Sequence, residues 1–339
     1  MACCYLPRQK IMSNPLVTIV IPAYNCEKTI YNAINAVLRQ SYQPVELIVV
    51  DDGSSDNTPK IIQSFESVIY IHQNNAGPAA ARNRGAKEAN GGIVFFTDSD
   101  CIADPDWIKN AMNGFTEDVS AVMGSYDIAN PFDCLARCVH REILYRHAHY
   151  LPEYPKVFGS YNVGIRKNIF DQAGGYNPQY RRASGEDNDL SYKIIALGGR
   201  IRFCRNALVQ HYHPVSLLKY LNEQFRHGFW RAKMYLDFPA MAKGDGYTFW
   251  KDMAEVALVM TALASAILCL FLFNIFKILL IFSLITLGLI QIYFSMRMIK
   301  DLGEAGYFAF VMLIRAFART LGFMAGSLFF VTTSGKKSF

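Results

Sequence analysis

The sequence lacks the regular cysteine spacing of a disulfide framework or a zinc site. Eight cysteines are scattered along 339 residues, with no Cys-x-x-Cys pair and no clustering with histidine. Disulfide-rich domains and zinc modules both depend on such spacing. We therefore expect these cysteines to be reduced thiols in a cytosolic domain.

The N-terminus lacks the apolar core that a signal peptide requires. We expect residues 1–14 to form a flexible leader that the fold does not need. Acylation of the adjacent Cys3 and Cys4 is the alternative that this segment leaves open.

The sequence also lacks a nucleic-acid recognition motif, although its formal net charge is +6. Without such a motif, basicity alone does not indicate nucleic-acid binding, and we expect none. The basic residues instead crowd the approach to the apolar C-terminal region: Lys219, Arg226, Arg231, Lys233, Lys243 and Lys251. This bias is typical of the cytoplasmic side of a membrane protein. We therefore expect a multi-pass protein of the cell membrane whose globular part faces the cytoplasm.

Charged residues become rare in the last third of the chain, where long apolar runs take their place. Residues 253–273 and 276–296 are each long enough to cross a bilayer and predict a helical hairpin. A third run, 306–331, places Arg315 and Arg319 on one helical face, where charge is costly unless it meets protein, water or an anion. The pair predicts either a contact with the phosphate of a lipid-linked acceptor or an interfacial helix with both arginines among the headgroups.

Ahead of these runs, residues 215–235 alternate apolar and basic side chains, as in a helix that lies at a bilayer surface. Packing of this helix on the globular domain is a compatible alternative. The chain then divides into five predicted segments: a leader at 1–14, an α/β domain at 15–214, an amphipathic segment at 215–250, transmembrane helices at 251–333 and a tail at 334–339.

The globular part predicts an α/β fold with a mostly parallel sheet. Apolar runs of strand length alternate with amphipathic helical patterns, which is typical of right-handed βαβ units. Polar residues follow three of these strands: Tyr24 and Asn25, Asp51 and Asp52, and Asp98 and Asp100. Because parallel strands end at one edge of a sheet, we expect these residues to converge on a nucleotide or phosphate site. Turn formation or helix capping is the alternative role for each acid pair.

Four motifs in this part resemble, in order, those of the family 2 glycosyltransferases. They are Val17–Asn25, Val49–Thr58, Ala81-Arg82-Asn83-x-Gly85 and Thr97–Asp100. The resemblance implies the GT-A fold, which is Rossmann-like, together with an inverting mechanism and a nucleotide-sugar donor. A UDP-sugar is the favoured donor.

The resemblance also implies roles for individual residues. Tyr24 would stack on the base, Asp52 would hydrogen-bond its ring N–H, and Arg82 would contact the diphosphate. The full set implied for the donor site is Pro22, Ala23, Tyr24, Asn25, Glu27, Asp52, Gly77, Arg82, Asp98 and Ser99.

The resembling enzymes hold a divalent cation, Mn²⁺ or Mg²⁺, which Asp98 and Asp100 would bind here, with His211 as a further ligand. Such a cation acts as a Lewis acid on the leaving diphosphate. A structural histidine is the alternative for His211. On the acceptor side, Asn162 in a glycine-rich segment would hold a sugar hydroxyl, and a hairpin that binds no ligand is the alternative.

Three acids fall within four positions at the start of a predicted helix, from Glu186 to Asp189. A capping box formed by Ser184 and Asp187 explains only part of this pattern. The resemblance implies that Asp187 is the general base, beside Glu186, and a helix N-terminus would keep it ionised.

Together these features predict a membrane-anchored inverting glycosyltransferase that adds a sugar to a hydroxyl of a lipid-linked or membrane-proximal glycan. A polyprenyl-phosphate sugar synthase is one alternative, although a phosphate acceptor needs no general base. A processive polysaccharide synthase is another, but residues 224–230 depart from the Gln-x-x-Arg-Trp motif of those enzymes. A noncatalytic membrane scaffold would keep the fold and bind no nucleotide sugar.

Overall fold

The computed structural model describes residues 14–180, 185–243, 248–270 and 273–334. The predictions for the leader, for Ser184 and for the end of the tail lie outside these residues. The described part comprises a β-sheet with flanking helices, followed by four long helices.

Among the described residues, eight strands form one mixed sheet, in the order β3-β2-β1-β4-β7-β6-β8-β5. The strands are β1 (Val17–Ala23), β2 (Val45–Asp51), β3 (Ile69–His72), β4 (Ile93–Thr97), β5 (Cys101–Ala103), β6 (Val119–Ile128), β7 (Asn162–Arg166) and β8 (Arg200–His211). The helices between them are α1 (Ile30–Leu38), α2 (Thr58–Gln63), α3 (Pro78–Glu88), α4 (Trp107–Met112), α5 (Cys134–His149), α6 (Lys167–Gln172) and α7 (Glu186–Ala196).

The N-terminal half of the sheet is parallel, and its central strands are buried. Every residue of β1 and β4 is buried, because both strands are covered on their two faces and consist mainly of Val, Ile and Phe. Ala23 pairs with Asp51, so β1 and β2 end together. The predicted mostly parallel α/β sheet is confirmed, and its carboxyl edge gathers the strand ends as expected.

Strand β7 runs against its neighbours, pairing antiparallel with both β4 and β6. As a result Asn162, the first residue of β7, lies opposite Thr97, the last residue of β4. A reversed strand delivers its beginning to the edge where the parallel strands end. The same edge is therefore built from both halves of the domain.

Four long helices follow the sheet: α8 (Leu217–Asp237), α9 (Trp250–Leu268), α10 (Phe273–Met298) and α11 (Leu302–Ser334). Two of the described helices are long and apolar enough to cross a membrane by length and composition, over residues 274–298 and 302–332. Only 17% of the most apolar part of α10 is buried, unlike the core helix of a soluble protein. Helix α9, which contains most of the first predicted span, is not one of these two. Its first two turns carry the charged residues Lys251, Asp252 and Glu255.

A cluster of buried ion pairs joins α5 to α9 and α11. We call Glu142, Arg146, Asp252, Glu255 and Arg315 the buried ion-pair cluster. Nη2 of Arg146 donates to Glu142 and to Asp252, each at 2.8 Å, and Arg315 donates to the other oxygen of Glu142. Burial opposes ionisation of Glu142, but Arg315 and Arg146 hold its pKa well below the usual range. Each charge in this group is thus compensated inside the protein.

The two arginines of the third apolar run lie within this cluster or beside it. Arg315 is 1% exposed and lies within the cluster. Arg319 lies one turn further along α11, donates from Nε to Oε1 of Gln224 at 2.6 Å and approaches Asp252 to 3.6 Å. Both side chains therefore have protein partners, and their contact with an acceptor phosphate stays a prediction.

Candidate active site

Two adjoining cavities of about 550 and 510 Å³ lie at the edge where β1, β2 and β4 end. Both are lined by Tyr24, Ser99 and Asp100, so they form one open cleft. The larger cavity is also lined by Pro22, Ala23, Asp52, Gly77, Arg82 and Asp98, and the smaller by Asn25 and Glu27. The fold thus brings all ten predicted donor-site residues to one place.

Asp52 shapes the floor of this cleft. It is 3% exposed, and its carboxylate accepts hydrogen bonds from the backbone N–H groups of Ala76 at 2.9 Å and Gly77 at 2.8 Å. The side chain of Gln73 donates a third bond at 2.7 Å. Gly77 has a φ of +93°, a conformation that favours glycine. One buried carboxylate therefore ties the loop after β3 to the end of β2.

The wall opposite this floor exposes an aromatic ring. Tyr24 is 53% exposed although it lines both cavities. The next residue, Asn25, has a φ of +47° and accepts a hydrogen bond from the N–H of Ser55 at 2.8 Å. Glu27 accepts one from the side chain of Asn57 at 2.9 Å. These bonds join the loops after β1 and β2 and leave the Tyr24 ring open to a planar ligand.

Arg82 links the two sides of the cleft. Its guanidinium donates to Asp98 at 2.6 Å and to Glu186 at 3.1 Å, and it lies over the Tyr176 ring at 5.4 Å. The residue is 2% exposed. Its charge is therefore matched by two carboxylates, one after β4 and one at the start of α7.

Asp100 and His211 offer a carboxylate and an imidazole to the same point. Nε2 of His211 lies 3.6 Å from Oδ1 of Asp100, and both side chains are partly exposed. The thiol of Cys101 belongs to the same group of donors, and burial raises its pKa well above the usual range. A carboxylate with an imidazole suits a divalent cation such as Mn²⁺, so the residues fit the predicted metal.

Asp187 lies in the first turn of α7, directly after Gly185 and Glu186. Gly185 has a φ of +139°, which lets the chain turn sharply into the helix. Burial, together with the charge of Glu186, raises the pKa of Asp187 to about 7. We expected the helix N-terminus to keep this group ionised, but the loss of hydration and the neighbouring acid outweigh the helix dipole. A carboxyl group with this pKa exchanges its proton near neutral pH.

Asn162 lies beneath the cleft, away from solvent. It is 1% exposed, and its side-chain oxygen accepts from Nε1 of Trp107 at 2.7 Å. Its amide nitrogen donates to the carbonyl oxygens of Ser125 and Ala207 at 3.0 and 2.9 Å. The side chain thus joins β7 to its neighbours, and its contact with a sugar hydroxyl stays a prediction.

The predicted site residues omit Arg226 of α8, which lines the larger cavity together with Asp98 and Asp100. Nε of Arg226 is buried and has no hydrogen-bond partner among the described residues. In the sequence, Arg226 belongs to the segment 215–235 of alternating apolar and basic residues, and this pattern alone does not single out one basic residue as a ligand contact.

Two curated proteins show how similar this chain is to enzymes of known name. A glucosyl-dolichyl phosphate glucuronosyltransferase of Haloferax volcanii is 23% identical over 274 residues, which cover 72% of this chain and 84% of that protein. The UDP-Glc:alpha-D-GlcNAc-diphosphoundecaprenol beta-1,3-glucosyltransferase WfgD of Escherichia coli is 39% identical over 127 residues. This match covers 35% of this chain and 49% of WfgD. A match to the glycosyltransferase GlyA of Streptococcus pneumoniae covers only 22% of GlyA.

A solved structure has a similar fold over nearly the whole chain. The mannosyltransferase PcManGT of Pyrobaculum calidifontis, in complex with GDP-Man and Mn²⁺, gives a TM-score of 0.64 at 18% identity. The alignment covers 92% of this chain and 88% of that one. The model of the family described as glycosyl transferase family 2 matches residues 18–176, which contain the parallel strands and the acids after β4. Residues 18–176 therefore match a family 2 glycosyltransferase domain, and the chain has a GT-A-like fold.

Proposed function

We propose that the protein is a membrane-anchored inverting glycosyltransferase that moves a sugar from a nucleotide sugar to a hydroxyl of a lipid-linked or membrane-proximal glycan. The observation that carries this proposal is Arg82, which contacts Asp98 on the donor side and Glu186 on the other. Asp187 follows Glu186 directly, so this bridge would bring the base to the cleft that holds the donor-site acids.

The nucleotide would occupy the cleft between Tyr24 and Asp52. The exposed ring of Tyr24 provides a stacking surface, and such contacts with a base are largely insensitive to its identity. Asp52 keeps acceptor capacity beyond its three bonds, because a carboxylate has about four lone-pair positions. A UDP-sugar remains the favoured donor.

Asp98, Asp100 and His211 would hold the divalent cation, with Mn²⁺ the better match to their oxygen and nitrogen atoms. When bound, the cation would neutralise charge that develops on the leaving diphosphate. Arg82 positions the carboxylates around this point, because it holds both Asp98 and Glu186.

Asp187 would act as the general base. The acceptor oxygen forms a bond with the anomeric carbon while the bond from that carbon to the diphosphate oxygen breaks, and the hydroxyl proton passes to the Asp187 carboxylate. Attack from the face opposite the leaving group inverts the configuration. The raised pKa of Asp187, about 7, makes it a stronger base than an exposed aspartate.

Arg226 would complete the diphosphate site. Arg82 is matched by two carboxylates, so its net effect on a bound anion is small. Arg226 lines the same cavity, and its Nε has no partner among the described residues. Contacts between arginine and phosphate are among the stronger hydrogen bonds in proteins, so we assign Arg226 to the donor's phosphates.

The acceptor and the location follow from the C-terminal helices and from relatives. Two apolar helices would anchor the chain in the cell membrane as a multi-pass protein, with the domain at 15–214 in the cytoplasm. The names of the Haloferax and Escherichia relatives include a dolichyl phosphate and a diphosphoundecaprenol, both of which are lipid carriers. A lipid-linked glycan is therefore the acceptor class that we propose.

The test is a transfer assay on the full chain in detergent, with Mn²⁺, a set of UDP- and GDP-sugars, and two acceptors. One acceptor is a polyprenyl-diphosphate-linked monosaccharide and the other is polyprenyl phosphate. We expect a new glycosidic bond of inverted anomeric configuration on the first acceptor, detected by NMR. A sugar phosphate formed only on the second would indicate a polyprenyl-phosphate sugar synthase, and no transfer from any donor would contradict the proposal.

A further inference from the structure

Helix α8 lies between the cleft and α11. On one side Arg226 lines the larger cavity. On the other side Phe225, Gly228 and Phe229 meet the backbone or glycines of α11. Movement of α8 away from α11 therefore moves Arg226 as well.

Three glycines make this helix contact unusually close. A Cβ atom added at Gly322 would lie 2.0 Å from the carbonyl oxygen of Phe225, and one at Gly326 would lie 2.2 Å from that of Phe229. A Cβ at Gly228 of α8 would lie 2.0 Å from the carbonyl oxygen of Arg319. We call Gly228, Gly322 and Gly326 the glycine seam. Small residues four positions apart are a common means of bringing two helices into backbone contact.

Polar and aromatic contacts flank the glycine seam and fix its register. At one end Arg319 donates to Gln224 at 2.6 Å, and at the other the ring of Phe330 lies 5.5 Å from that of Trp230. Residue numbers rise together along both helices, so α8 and α11 run in the same direction here. The seam is thus a defined contact, held at both ends.

An independent observation indicates that the correct position of α8 matters for a ligand. Nε of Arg226 is buried with no partner among the described residues, while the same cavity contains Asp98 and Asp100. A buried N–H donor without an acceptor is costly, and an anion in the cavity would supply one. The diphosphate of a nucleotide is the anion that fits a cleft of this kind.

We infer that the glycine seam positions Arg226 for the donor's diphosphate, so that the contact between α8 and α11 sets the affinity for the nucleotide. Gly228, Gly322 and Gly326 are positioning residues, which act through Arg226 and touch no substrate. This inference rests on the proposed function and extends it to the C-terminal helices.

The expected effect of widening the seam follows from the distances. An alanine at Gly322 must move from 2.0 Å to beyond 3.0 Å from the carbonyl oxygen of Phe225, because shorter contacts essentially do not occur. Both atoms belong to or are fixed by backbone, so the helices must separate by about 1 Å. A displacement of that size at a binding group is enough to change rates by up to about a hundredfold.

The experiment compares Gly322→Ala with Gly306→Ala in the full chain. Gly306 lies on the same helix, and a Cβ atom there would meet nothing within 4 Å, so this variant is a matched control. Calorimetry with UDP and GDP in Mn²⁺ buffer gives the affinity, and steady-state rates separate KM from kcat. We expect Gly322→Ala to weaken nucleotide binding about tenfold and to raise the donor KM, whereas Gly306→Ala behaves as wild type.

A double-mutant cycle with Arg226→Ala separates positioning from a general structural effect. If the seam acts through Arg226, Gly322→Ala adds little further loss to Arg226→Ala. An equal loss in both backgrounds would overturn the inference, as would a Gly322→Ala variant with wild-type affinity.

Phe330→Ala provides a second route if Gly322→Ala does not fold. It removes the ring beside Trp230 without adding an atom to the seam. We expect a smaller loss of affinity, again absent in the Arg226→Ala background, and an unchanged affinity would overturn the inference. Failure of the proposed function is a different result, because then the wild-type chain itself binds neither nucleotide.

Discussion

The cleft and the buried ion-pair cluster contain the same types of charged residue and use them differently. In the cluster, Glu142 is shared by Arg146 and Arg315, and no more than a few per cent of either partner is exposed. In the cleft, the side chains of Asp98 and Asp100 are 30% and 42% exposed. Buried charges that are paired within the protein hold helices together. Partly exposed charges at a cleft remain accessible to a ligand.

Arg82 and Arg226 show the same contrast within the cleft. Arg82 is buried between two carboxylates and acts as a structural bridge. Arg226 lines the cavity with an unpartnered Nε among the described residues. The two arginines differ in the pair of carboxylates that contact Arg82, because Nε of Arg82 also has no hydrogen-bond partner among the described residues.

The largest effect should come from Asp187→Asn, which removes the proposed base from the open site. General-base catalysis contributes about 10²–10⁴-fold, so we expect a loss of that order in kcat. Nucleotide affinity should change little, because Asp187 lies beyond the donor-site residues. The measurement is steady-state transfer together with calorimetry.

The matched control is Asp171→Asn. Asp171 is an exposed acid of α6, where it pairs with Lys167 of the same helix, away from Asp187 on α7. We expect wild-type activity from it, since exposed ion pairs contribute little. Near-normal turnover by Asp187→Asn would remove Asp187 from its role.

A change in the buried ion-pair cluster should lower the thermal stability of the protein. Glu142→Gln leaves Arg315 without its closest acid, and breaking a buried pair costs about 3–5 kcal/mol. We expect a clearly lower Tm for the full chain in detergent, with an unchanged donor KM in the folded protein. A raised donor KM at an unchanged Tm would instead place this cluster in substrate binding.

The control for this change is Glu304→Gln. Glu304 pairs with Arg137 and Arg141 at a more exposed position, where its side chain is 19% exposed. Partly exposed pairs contribute about 1 kcal/mol or less, so the Tm should fall much less than in Glu142→Gln. An equal fall in Tm in both variants would contradict the distinction between buried and partly exposed ion pairs.

Arg226→Ala should weaken nucleotide binding by about tenfold, since a hydrogen bond to a charged group contributes about 1.5–3 kcal/mol. Lys219→Ala, which removes an exposed cation from the same helix, is its control. Competition binding with UDP and GDP measures both. If the two variants lose the same affinity, the effect reflects overall charge rather than a specific contact.

The pH dependence should be the smallest effect. Asp187 must be ionised to accept a proton, and its pKa is raised to about 7. The base is therefore active above that pH, and kcat/KM should rise with pH through about 7 and fall about tenfold per unit below it. A profile that is flat between pH 5 and 8 would contradict the raised pKa.

The sequence predicted the meeting of the polar strand ends at one cleft, because the signals for it are local. Each apolar strand is followed directly by the polar residues that line the cleft, and the parallel arrangement brings strand ends together without further information. Tyr24, Asp52 and Asp98 lie far apart in the sequence, but the order of βαβ units is enough to predict that they lie close together in the fold.

Contacts between segments that are distant in the sequence could not be predicted from it. Arg315 pairs with Glu142, which lies 173 positions earlier, and nothing in either local pattern indicates the other. The sequence left two places open for α8, a bilayer surface and the globular domain. The glycines of α11 that pack against α8 look like ordinary small residues of an apolar helix. Strand β7 runs against its neighbours and buries the Asn162 side chain, which no local pattern of the sequence indicated.

The most direct test of the account is nucleotide-dependent thermal stabilisation of the full chain, with and without Mn²⁺. Binding to the folded state raises apparent stability, so UDP or GDP with Mn²⁺ should raise the Tm of the wild type. Asp100→Asn should lose most of this shift while its ligand-free Tm stays near that of the wild type. Equal Tm values for the wild type with and without every nucleotide tested would contradict the assignment of the cleft to a nucleotide-sugar donor.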